Sequence, residues 1–214
     1  MGLAERRSAL VAAREALAGL GEVVFEASGD ELGELMTLAD EVAAGAGAAR
    51  VVVAVEAVAR GEVGAAGVNA TAWVRDHAPS LRQGGAHQVA TIATAVASPS
   101  SVWRPEGGAV DPQSPLGVVW DGVREGSVSP SLAVAALKEV DRLEPRLNPD
   151  ALATVTRGLL ELGVAWGVTQ MRKLRPRLLA QYGQDGVLDE LHERLARAAR
   201  LSSSPLSVKL KVSR

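Results

Sequence analysis

Three times between Thr71 and Tyr182 the sequence runs through one cadence: a short segment of helical periodicity, a turn that presents a hydroxyl residue, and a second helical segment. In the first copy residues 71–77 form the short helix, Ala78-Pro79-Ser80 the turn and residues 81–97 the second helix. In the second, Ser114-Pro115 caps a helix over 116–124, residues 126–129 turn, and Pro130 starts a helix to 143. A Ser oxygen there accepts from a free helix-end N–H, and a Pro at the first helical position gives up an N–H that has no partner anyway. In the third, Asn148-Pro149-Asp150 starts a helix to 166, residues 167–169 turn, and residues 170–182 follow. Paired helices of this kind leave no place for a sheet and predict an all-α fold. The copies are too unevenly spaced for a solenoid, whose repeats keep a fixed period.

Ahead of the cadences, residues 3–20 read as an amphipathic helix, with Leu3, Leu10, Val11 and Leu17 on one stripe. Ser28-Gly-Asp-Glu31 has capping-box spacing and opens a second helix over 32–44, placed to form a hairpin with the first. Val51-Val-Val-Ala-Val55 would suit a strand, but its length and its Ala-rich, charged flanks favour a third helix. Residues 61–67, GEVGAAG, read as a loop. A multi-helix bundle of about seven to nine helices follows from counting these periodic segments.

Residues 98–114 concentrate Pro, Ser and Gly, so they divide an N-terminal helical half, 1–97, from a C-terminal half, 115–204. Residues 205–214 alternate apolar and polar at period two, a β-like tail with no evident partner strand. A lone strand is unstable, so the tail is expected to pair elsewhere, pair between copies or stay disordered.

Side-chain chemistry excludes much. The chain has no Cys, which removes disulfides, thiol nucleophiles and Cys-ligated metal; His77, His87 and His192 are too far apart for a local metal motif. No metal and no cofactor are expected. Adjacent carboxylates such as Asp40-Glu41 and Asp189-Glu190 point about 100° apart on a helix and do not converge on one bond. Residues 61–67 lack the Lys-Ser/Thr ending of a phosphate loop, and no Ser-His-Asp set is evident. The six aromatic residues are too scattered for base-stacking platforms. The most apolar stretch, 42–59, carries Arg50 and Glu56, whereas a membrane span needs about 20 mostly apolar residues. The first residues lack the apolar run of a signal peptide. A cytoplasmic protein without a membrane partner is expected.

Charge is placed unevenly. From residue 157 onward 11 Lys+Arg stand against 5 Asp+Glu, a net of +6; before it 12 stand against 20, a net of -8. The densest basic cluster is Arg172, Lys173, Arg175 and Arg177, whose three- and four-residue spacings let cations share one helix face, with Pro176 expected to kink it. Such a face suits the phosphate backbone of duplex DNA, although basic runs also serve as solvated helix surfaces. In the first cadence Arg82, Gln83, His87 and Gln88 could reach base edges or phosphates from the second helix. Packing two short helices gives that shape equally well. Trp73, Trp120 and Trp166, one on the first helix of each cadence, are expected as core anchors, and His77 as a favourable charge at a helix C-terminus.

The run from Trp73 through Val96, the V-R-x-G-S-V-S-P-S segment beginning at Val123, and LLELGVAWGVTQMRKLRPRLLAQYG beginning at Leu159 resemble, in this order, domain-of-unknown-function family 222. The resemblance covers residues 30–205. It implies an actinobacterial helical region of the kind that precedes a His-Asn-His nuclease, and the Arg- and Ala-rich composition agrees with GC-rich coding. The nuclease's His and Cys pairs have no counterpart here, so the resemblance supplies no catalytic residue. The expected chain is thus either a piece of a longer protein or a stand-alone relative. Its expected role is non-catalytic nucleic-acid contact, with duplex DNA and a separate or cut-away catalytic part as partners. The alternative is a protein-interaction or self-association module that forms a homo-oligomer.

Overall fold

A computed structural model describes residues 1–98, 103 and 109–184. Among them the protein is all-α, with no strand and ten α-helices: α1 (Leu3–Val23), α2 (Gly29–Ala59), α3 (Glu62–Ala65), α4 (Ala70–His77), α5 (Ala86–Ala97), α6 (Pro115–Glu125), α7 (Pro130–Leu143), α8 (Leu152–Trp166), α9 (Val168–Lys173) and α10 (Arg175–Tyr182). Short 3-10 turns join several of them. The β-like tail at 205–214, most of the 98–114 segment and residues 185–204 lie outside the described residues.

The second cadence folds as its capping residues dictate. Ser114 accepts from Gly117 N–H at 3.0 Å and Ser129 from Leu132 N–H at 3.2 Å, each followed by a Pro at the first helical position. Gly126, with φ 81°, supplies the left-handed residue that ends α6. Ser28 and Glu31 form the expected capping box, the Ser28 N–H donating to Glu31 Oε2 at 2.7 Å. That bond and the Ser28 hydroxyl hold the Glu31 carboxyl below its ordinary pKa, the hydroxyl contributing more.

Elsewhere the structure corrects the boundaries. Residues 29–59 are one helix of 31 residues, not two, because Gly45 and Gly47 are tolerated inside it while Ala48, Val51, Ala54 and Ala57 beyond them are buried, Val51 and Ala54 as part of the core. By length and composition alone α2 would suffice to cross a membrane, but its second half is packed on α5. Residues 61–67 contain the helical turn α3 between two left-handed glycines, Gly61 and Gly67. In the first cadence Gly85, at φ 92°, stops the helix before it can include Leu81, so α5 begins at Ala86. In the third, Pro176 lacks the N–H that would bond the Arg172 carbonyl, and the expected single helix divides at Leu174 into α9 and α10.

The core is one cluster of buried side chains drawn from both sides of the 98–114 segment. Val51 and Ile92 belong to it together with Leu116, Leu137, Leu159 and Met171. Helix α7 is its centre, packed on α5, α6, α8 and α9. Each fully buried Leu or Ile contributes about 1.5–3 kcal/mol relative to exposure. Trp73 and Trp120 pack against this cluster as expected; Trp166 does not, ending α8 with 70% of its surface exposed. Trp103 packs on the core too, its Nε1–H donating to Asp141 Oδ1 on α7 at 2.7 Å. After α10 the backbone returns to the segment before α8: Asn148 N–H donates to Tyr182 O at 2.9 Å and Gln184 N–H to Arg146 O at 2.8 Å.

Helix α1 stands apart. None of its residues is buried, and the expected stripe of Leu3, Leu10, Val11 and Leu17 is exposed. The hairpin with α2 is therefore not a closely packed one.

Candidate nucleic-acid interface

Helix α7 buries its stripe of Leu132, Ala136 and Leu143, and on the same stripe stands Glu139, 1% exposed. A carboxylate taken out of water costs several kcal/mol unless it is paired and hydrogen-bonded. Three arginines pair it. Arg142, one turn along α7, donates from Nη1 to Oε1 at 2.6 Å, and Arg172 of α9 brings Nε to 3.4 Å from the same oxygen. Arg175, the first residue of α10, binds Oε2 through both Nε and Nη2.

The break at Leu174 makes this convergence. Arg172 lies just before it and Arg175 just after, so both reach α7 from the end of one short helix and the start of the next. All three guanidiniums remain partly exposed while the carboxylate is buried. Three positive charges on one negative leave an excess of two facing solvent. Because a guanidinium carries five N–H donors in a fixed fork, a group anchored through one edge still presents others outward.

Of the four cluster residues expected from the sequence, Arg172 and Arg175 are thus tied to Glu139. Lys173 and Arg177 are exposed and make no ion pair among the described residues. The candidates of the first cadence are divided by Gly84-Gly85. Arg82 and Gln83 are in the turn and not on α5, and Arg82 Nε donates to the Arg75 carbonyl at 3.3 Å. His87 and Gln88 occupy the first turn of α5; His87 lines an open groove with Asn69, Arg75, Thr91 and Trp103. Gln88 Oε1 is buried with no hydrogen-bond partner among the described residues. No hydrogen bond or ion pair among the described residues joins this set to the basic cluster on α9 and α10. His77 stacks on Trp73, ring centroids 4.2 Å apart, and its Nδ1 lies 2.8 Å from the Trp73 carbonyl.

Sequence reasoning passed over Glu139. Its signal was present: it follows Ala136 by three residues and precedes Leu143 by four, on a stripe otherwise apolar. No family model matches the chain, and neither a curated protein nor a solved structure is significantly similar to it.

Proposed function

We propose that the chain is a non-catalytic helical region, of the kind its resemblance to family 222 implies, that contacts the phosphate backbone of duplex DNA in the cytoplasm. The observation that carries this reading is the arginine set on Glu139. Arginines already held in place lose less side-chain freedom on binding a phosphodiester than free ones do. The excess positive charge gives the contact its sign, and Lys173 and Arg177 extend the same basic segment.

Phosphate contact of this kind is independent of base sequence and weakens with salt, since each neutralised phosphate releases condensed counterions. Retardation of a labelled random duplex at low ionic strength is the expected result. Failure to retard it even there would remove the reading.

A further inference from the structure

We propose that α1 and the first half of α2 dock on the same two helices of a second copy of this chain, so that two hairpins complete one four-helix bundle. Leu3, Leu10 and Leu17 recur at seven-residue intervals along α1, the interval that keeps a line of side chains on one seam of paired helices. All three are exposed, Leu3 at 87% and Leu10 at 64%. Leu38 and Val42 of α2 are exposed as well, and Phe25, at the bend between the helices, is exposed at 78%. Leu10 also lines an open apolar groove with Ala46, Ala49 and Val53 of α2. Exposed apolar side chains in this number mark an interaction site more often than a solvated face.

Charge selects the occupant. Helix α1 carries Arg7 and Arg14 seven residues apart, and α2 carries Glu34 and Glu41 at the same interval; both spans are about 10.5 Å at 1.5 Å per residue. Arg7, Glu34 and Glu41 make no ion pair among the described residues, and Arg14 only approaches its neighbour Glu15, at 3.6 Å. With α1 of one copy antiparallel to α2 of the other, Arg7 meets Glu41 and Arg14 meets Glu34. A two-fold axis repeats both pairs, as a self-complementary interface requires. A lipid surface fits less well. The first half of α2 bears Asp30, Glu31, Glu34, Asp40 and Glu41 with no cation before Arg50, which anionic headgroups repel and hydrocarbon does not solvate.

Sedimentation equilibrium of the full chain tests this, with a dimer of twice the 22.2 kDa chain mass expected. Arg7→Glu with Arg14→Glu, and separately Glu34→Arg with Glu41→Arg, should each sediment as a monomer, and an equimolar mixture of the two variants should recover the dimer mass. Because no residue of α1 is buried and Leu10 and Leu17 are exposed, Leu10→Asp with Leu17→Asp should also give a monomer with unchanged helicity and melting temperature. A wild-type chain that stays monomeric, a dimer that survives all these changes, or a monomer captured by phosphatidylcholine–phosphatidylglycerol vesicles would each overturn the proposal.

Discussion

Glu139 is the residue on which the basic surface depends. Its three arginines lie on the outside of the molecule, yet they hold a carboxylate in the core. Replacing Arg142, Arg172 and Arg175 together by Ala should cost about 3 kcal/mol of stability in urea unfolding, the cost of a buried charge left without partners. Arg172→Ala alone, from 3.4 Å and half-exposed, should cost no more than about 1 kcal/mol. Two glycines give opposite expectations. A Cβ at Gly117 would run into the Asp111 backbone carbonyl, so Gly117→Ala should destabilise by about 1–3 kcal/mol. Gly158 lies inside α8 with open space at its Cβ, so Gly158→Ala should stabilise by about 0.5–1 kcal/mol in the same experiment. The basic residues were legible in the sequence as a cluster. That two of them answer a buried acid 33 and 36 residues earlier was not, because only the folded chain brings α7 to the break between α9 and α10.

At the scale of elements, caps were legible and interruptions were not. Ser28, Ser114 and Ser129 each start a helix because a short polar side chain there satisfies a nearby N–H regardless of tertiary context. The gap expected between the helix over 32–44 and the one around Val51 holds Gly45 and Gly47, but the packing of Val51 and Ala54 in the core outweighs the glycines' propensity cost of about 1 kcal/mol each. Pro176 acted more strongly than a kink, since a second helix could begin directly at Arg175. The cap of α2 is pH-sensitive. Glu31 titrates below its ordinary value in the folded protein, so the stabilisation it gives is full above the unfolded pKa and is lost as pH falls through the lower folded one. Amide protection in the first turn of α2, taken relative to the intrinsic exchange rate at each pH, should therefore fall at acid pH below the ordinary carboxylate range. In Ser28→Ala that turn should exchange faster at neutral pH and respond less to acid.

For the molecule as a whole, the all-α architecture and the second cadence follow directly from periodicity and turn chemistry, while the use of each apolar stripe does not. The stripe on α1 has the same spacing as a core stripe, yet no residue of α1 is buried, because periodicity states which face is apolar and not what covers it. Likewise Trp120 meets the core whereas Trp166, at the last position of α8, meets solvent. The same distinction applies to charge: a basic segment on a folded surface becomes a nucleic-acid contact only if phosphate binds it. The most direct measurement is the affinity for a labelled random duplex, by fluorescence anisotropy over a range of salt concentrations, for the wild-type chain and for Lys173→Ala with Arg177→Ala, which leaves the Glu139 set intact. Wild-type affinity should fall steeply with salt, and the variant's log–log slope should be shallower by about two, one for each phosphate contact removed. Equal slopes, or no binding at low salt, would contradict the account.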